Sequence, residues 1–355
     1  MIHHLPMGLM WNMPIPVACS LAVAANGLAV TCGQCPLDDQ GQVQFPGDAA
    51  AQARLVADMA KGVLSHLAVP HSAALLVVYH DCEDANQVLA PLTAAFPQAV
   101  LAPIRLPHFY YPGMRIEVDL YASASPPNQI RESMGAASLT RVNAGPLTLC
   151  HLSAPDMGAA LPLLAQIDPN HLLSAQWFAP TAPPSHLPDP AARVIPPDGS
   201  VSAILTLAQG DVQATTTPGG AILRKAGGFG WLSAHGTAPD LALAAHQAMD
   251  ALALPDLPGL KMLKATTHYH GGANAHDLHA NLAVRHARFP MPGPASTGVP
   301  VAGLAAATLA IDMLAIIDSP AVSAYPPPLN SPEAVASGPL GIVRDRHPSA
   351  RCAHG

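Results

Sequence analysis

Two stretches of this 355-residue chain, one near its start and one near its end, carry the same order of patterns, and a chain that repeats an order of elements repeats a fold. In the first block, LAVTCGQCPLD (28–38) precedes a turn. Residues 48–67 follow with apolar positions at helical spacing, then ALLVVYHD (74–81), a second short helix near 84–96, and RIEVDLYAS (115–123), which alternates as a strand does. The last block runs GFGWLSAHGTAP (228–239), a helix over 240–254, LKMLKATTHYH (260–270), a helix over 277–289, and a strand pair formed by STGVPVAGL and ATLAIDMLAI. Between them, residues 145–208 read either as a shortened third copy or as a connection of another kind. The predicted domains are 14–125, 140–212 and 219–320, with a flexible tail over 321–355. The apolar stretch 17–30 is expected to be one buried strand.

Half the residues are apolar, so burial does not limit a chain of this length. Charged residues make up 11% and aromatic ones 4%, against 39 Pro and 27 Gly, which describes small side chains and many turns. The formal charge is −7 and no Lys/Arg cluster could track phosphates, which excludes nucleic acid as a partner. Six scattered cysteines without a secretory signal fit a reducing cytoplasm. Residues 299–317 are long enough to raise a membrane span, but Pro300, Gly303 and Asp312 interrupt them and no basic flank follows, so no membrane partner is expected.

Cys32-Gly33-Gln34-Cys35-Pro36, Ala50-Ala51-Gln52-Ala53-Arg54 and Ile116-Glu117-Val118-Asp119 resemble three motifs of the Rid (YjgF-like) superfamily: Ser-Gly-Gln-Ile-Pro, Ala-Ala-Gln-Ala-Arg and Ile-Glu-Ile-Glu-Ala. In the last block, Pro294 to Val299 and Ala310-Ile311-Asp312 resemble the closing strands, and Asn281 falls where many members carry Asn. The resemblance implies an α+β fold of tandem Rid/YjgF-like (chorismate-mutase-like) domains, each a sheet with two helices on one face. It implies an arrangement as a pseudo-trimer, with clefts between domains, either within a monomer or in a homo-oligomer. It also implies hydrolysis of a reactive imine or enamine, in which an Arg pairs with the substrate carboxylate and a Glu positions water. Glu117 occupies the place of that Glu. The family's Arg place holds Ser296 in the last block, and in the first block Arg105 follows several positions later.

The candidate catalytic group is therefore Glu117, and a small-molecule ligand is the expected partner, with no cofactor. Gly33 would permit close backbone approach to a ligand, with Gln34 beside it. Cys32 stands where the family has Ser and reads more simply as a cleft wall than as half of a redox or metal site, because no second CxxC exists. Tyr110, in the cluster Phe109-Tyr110-Tyr111, could cover a ligand or staple a loop. His235, Asn281, Ser296 and Thr297 complete the ligand-binding candidates. The histidine pairs His268/His270 and His276/His279 are not predicted to bind metal, since nothing places them together. Three readings compete: a Rid-like hydrolase or deaminase, a non-catalytic binding protein on the same frame, and a pseudo-trimeric ring or chorismate hydrolase. A ring-opening version of the last would use Ser–Lys pairs repeated in each domain, and the positions of Lys61, Lys225, Lys261 and Lys264 do not repeat.

Overall fold

The computed structural model describes residues 2–187 and 192–317; the tail 321–355 and the last residues of the third predicted domain lie outside them. The first unit holds β1 (His3–Pro6), β2 (Ser20–Ala25), β3 (Leu28–Thr31), α1 (Ala49–Ser65), β4 (Ser72–His80), α2 (Asn86–Ala95), β5 (Val100–Arg105) and β6 (Ile116–Ser123). The stretch 17–30 is not one strand. Asn26 and Gly27, both at positive φ, reverse the chain between β2 and β3, the standard Asn-Gly hairpin turn. Asp48 caps α1 by accepting from the Ala51 N–H. The helical stripe of Ala53, Val56, Ala57 and Ala60 packs with Val88 and Leu92 of α2 onto Leu76, Val78 and Val118. Leu75, Val77 and Tyr79 point the other way into a second core. With both faces of β4 buried, its sequence is a continuous apolar run.

The middle unit contains β7 (Gln129–Met134), β8 (Ala137–Ala144), β9 (Leu147–Ala154), α3 (Met157–Leu164), β10 (Leu172–Phe178), β11 (Arg193–Val194) and β12 (Val201–Ala208). The last contains β13 (Gln213–Thr216), β14 (Ile222–Ala226), β15 (Phe229–Gly236), α4 (Leu241–Leu252), β16 (Leu260–His270), α5 (Ala275–Arg288), β17 (Ala295–Val301), β18 (Leu304–Ala305) and β19 (Leu309–Ile317). Strands neighbour one another as β2-β3-β6-β4-β5, β8-β9-β12-β10-β11 and β14-β15-β19-β16-β17, one order used three times. Between β10 and β11 the middle unit has no helix among the described residues, where the other units place α2 and α5. The expected pairing of the two closing strands is corrected: β17 runs parallel to β16 on one side and β19 antiparallel to it on the other. A helix between β16 and β17 carries the chain back to the same sheet end, which makes that pair parallel. The apolar stretch 299–317 is thus divided among the end of β17, β18 and β19, and no helix among the described residues is long and apolar enough to cross a membrane.

The register carries the repeat to single residues. Glu117 lies opposite Tyr79, Ser202 opposite Phe178 and Ala310 opposite His268. The three partners meet: the His268 ring packs edge-on against Tyr79, centroids 6.2 Å apart, and against Phe178 at 5.4 Å. Burial holds His268 neutral, pulling its pKa down to about 4.

The first and last units share one sheet through the parallel contact of Ala295 with Ser20. Beside that seam the Lys264 ammonium, 1% exposed, donates to Asp119 (2.7 Å), the Thr31 carbonyl (2.8 Å) and Thr297 Oγ1 (2.5 Å). All three ammonium donors are satisfied, so the charge is tolerated and the two units are joined through it. Lys264→Ala would leave Asp119 buried without a counter-ion, and a loss of about 3–5 kcal/mol is expected. Urea unfolding followed by circular dichroism checks this, and a midpoint equal to wild type would contradict it.

Candidate functional site

β6 leaves the sheet centre with Glu117 at its second residue, beside the bare Cα of Gly33. A Cβ on Gly33 would sit 1.7 Å from Glu117 Oε1, so no other residue fits there while the carboxyl keeps its place. Glu117 is 3% exposed. Its Oε2 accepts from the Tyr110 hydroxyl at 2.8 Å, and Tyr110 is in turn 3.3 Å from Cys35 Sγ. The ring of Tyr110 is locked between Phe109 and Tyr111 by edge-on contacts with centroids 6.3 and 4.9 Å apart. Burial, and after it the neighbouring Asp119 carboxylate, push the Glu117 pKa up to about 8; the Tyr110 hydrogen bond and Lys264 oppose the shift without cancelling it. Glu117 is therefore largely protonated at neutral pH.

The opposite wall comes from the last unit. α5 has Leu278, Leu282 and Arg285 on one stripe, and Arg285 is fully buried. Asn281, one turn earlier, fixes the guanidinium by accepting from Nε at 3.0 Å, and Ser296 Oγ accepts from Nη1 at 3.2 Å. A guanidinium has five N–H donors, of which these contacts use two, and no carboxylate pairs with it among the described residues. Burial lowers its pKa to about 10, still far above neutral, so it stays charged. Gly298 leaves room for it, since a Cβ there would lie 3.0 Å from Nη2.

Glu117 and Arg285 line one narrow cavity of about 370 Å³, counted with the space open to solvent. Cys19, Cys32 and Cys35 form part of its wall, and burial pushes all three thiols up, Cys19 to about 12, so they stay protonated and are poor nucleophiles. The segment between β1 and β2 closes the cavity with Met7, Trp11, Met13 and Val17. Among the described residues no group of three or more metal-ligating side chains comes together. The site combines a neutral acid, an unpaired buried cation and an apolar cover.

No protein-family description and no curated protein matches the sequence. Among solved structures, the YjgF gene product of E. coli is 20% identical and matches 34% of this chain and 98% of its own, with a TM-score of 0.30. A protein of the conserved Rid family from Yersinia pestis is 17% identical over 35% of this chain and 99% of its own (TM-score 0.30). Both are likenesses of fold over about a third of this chain. A chorismatase, 12% identical, matches 69% of this chain and 93% of its own at a TM-score of 0.43.

Of the residues singled out in the sequence, the cavity gathers Cys32, Gly33, Tyr110, Glu117 and Ser296. Asn281 stands behind it, holding Arg285. Gln34 is buried in the sheet, bridging to Val118 with its backbone and donating its amide to the Cys32 carbonyl. Thr297 belongs to the Lys264 cluster. Arg105 ends β5 and His235 is exposed on β15; neither lines the cavity. Tyr111 does not cover the cavity but reaches α5, with its hydroxyl 3.0 Å from His279 Nε2. Arg285 and Trp11 were not among the candidates. The signal for Arg285 was present, since a lone cation on the apolar stripe of a helix is a buried cation; nothing in the sequence marked Trp11.

The raised pKa of Glu117 is also a stability statement. Between its usual 4.5 and about 8 the unfolded chain releases a proton that the native carboxyl keeps, so this group's contribution is full below 4.5 and is lost as pH rises through about 8. In Glu117→Gln that loss disappears. Urea unfolding at pH 5 and pH 8.5 is expected to show a smaller drop in stability for the variant than for wild type, and equal drops would contradict the assignment.

Proposed function

We propose that the cavity between the first and last units hydrolyses a small carboxylate bearing an imine, an enamine or a related carbonyl-derived group. The observation that carries this reading is the buried Arg285, which lacks a protein counter-ion and faces the same cavity as the protonated Glu117. A ligand carboxylate would supply the two parallel acceptors that a guanidinium fork matches. With Tyr110 donating to Oε2, the Glu117 proton resides on Oε1, beside Gly33, and can pass to an enamine carbon or an imine nitrogen. The resulting iminium carbon is attacked by water. The new C–O bond forms as the Glu117 carboxylate takes one proton from that water. The C–N bond then breaks as Glu117 hands that proton to the nitrogen, which leaves as ammonia, and the C=O of the keto acid forms as the carbinol hydroxyl gives its proton to the Glu117 carboxylate. One water is consumed and Glu117 ends protonated, as it began.

In this reading the three repeated units form a pseudo-trimer within one chain, and one of its equivalent positions keeps the acid, since Ser202 and Ala310 stand where Glu117 does. The arginine comes from α5 and not from the strand position where the family carries it, so carboxylate binding is retained by a different route.

The test is turnover of freshly generated 2-aminoacrylate and longer 2-imino acids, followed as keto acid. Glu117→Gln is expected to lower the rate by about 10²–10⁴-fold, the usual worth of a positioned acid–base group. Arg285→Gln should raise KM more than it lowers kcat. Because the protonated form is the active one, the wild-type rate should fall as pH rises through about 8. No rate above buffer for any imino acid would remove this chemistry and leave a binding role.

A further inference from the structure

The cavity holds two more polar groups that the proposed reaction leaves unused. Trp11 is 3% exposed and its indole N–H has no partner. His286, one residue beyond Arg285 and 8% exposed, accepts the Ala18 N–H at its Nδ1 (3.1 Å). A backbone amide can only donate, so Nδ1 is the bare nitrogen and Nε2 carries the hydrogen. Burial, and after it Arg285, pull the His286 pKa down to about 3, so the ring is neutral. Its Nε2 is likewise buried without a partner. Both residues line the cavity.

These two donors share one connection, the segment 7–18. It starts from β1, which pairs with β2, and bends at Gly8 (φ 85°). At midpoint Asn12 ties it to the hairpin at 38–39, through its N–H to the Asp38 carbonyl at 3.3 Å and its amide to the Asp39 carbonyl at 2.9 Å. It ends at Ala18, which sets the tautomer of His286. The same segment contributes Met7, Met13 and Val17 to the cavity cover. A buried donor left unpaired is unfavourable, and natural proteins resolve such donors with water or a ligand.

We propose that the strap 7–18 is the specificity element of the cavity: Trp11 and the His286 tautomer it fixes recognise an oxygen acceptor placed beyond the ligand carboxylate. Met7, Met13 and Val17 lie against the carbon body between the two polar ends. The ligand class is then a short carboxylate with an apolar middle and a second oxygen, rather than the smallest imino acids. This rests on the reading of Arg285 as the carboxylate site.

Calorimetric titration of the full chain with pentanoate and with 4-oxopentanoate separates the two ideas. Wild type should prefer the oxo acid by about tenfold, the worth of one good hydrogen bond. Trp11→Phe keeps a ring in place and removes the N–H; it should erase most of that preference while leaving pentanoate affinity nearly unchanged. If the variant does not fold, the Trp11 indole N–H resonance of wild type, assigned from the two remaining tryptophans' variants, should shift with 4-oxopentanoate and not with pentanoate. Equal affinities in wild type, an unchanged preference in Trp11→Phe, or an unmoved indole resonance would overturn the strap proposal. If Arg285→Gln then still abolishes binding of both acids, the carboxylate site stands alone. Failure of wild type to bind either acid would overturn both.

Discussion

The seam between the first and last units decides where everything else sits, and it is held by a charge that has nowhere else to go. Lys264 rises from a central strand of the last unit into the first, and its three donors are all used by Thr31, Asp119 and Thr297. Breaking into that arrangement leaves an ion in an apolar interior, which makes the alternative placements of the two units far less stable. With the seam fixed, Arg285 of α5 is brought to the same cavity as Glu117 of β6. The cluster also reaches the chemistry electrostatically. Asp119 raises the Glu117 pKa and Lys264 lowers it, so the acid's proton affinity depends on how tightly that pair is closed.

The two buried charges of the cavity are handled differently. Glu117 avoids its desolvation by staying protonated, with a hydroxyl donated to one oxygen and a bare glycine beside the other. Arg285 cannot escape by losing its proton at neutral pH. It is held by one amide oxygen and one hydroxyl, which orient it without neutralising it. A site in which the acid is neutral and the base is charged has a net positive character before any ligand arrives, and anions are favoured for that reason.

Much of the frame was legible because period and order survive divergence. The helix of residues 49–65 and the strands around it follow from apolar spacing, and the repeated order of elements at the two chain ends shows in the sheet order of both units. The hairpin at Asn26-Gly27 was missed although its turn signal is strong, because the unbroken apolar run on either side masked it. The strand arrangement of the last unit was misjudged because sequence neighbours are not sheet neighbours when a helix carries the chain over. Within the site, Glu117 and Gly33 were visible through resemblance. Arg285 carried only the signal of a cation on an apolar helix stripe, and its place across the cavity from Glu117, 168 residues earlier, comes from folding alone. Trp11 sits in an irregular segment with no periodicity to read.

The identical register of Glu117, Ser202 and Ala310 has a consequence for how such a protein can change. In an assembly of separate identical chains, every substitution appears at each copy of a position, and a change harmful at one is imposed on all. Here the three positions are spelled independently. One can hold an acid, one a hydroxyl and one a methyl, each tuned to its own neighbours. An acid kept at one of the three positions serves one cavity, and the other two positions are free to drift toward packing alone.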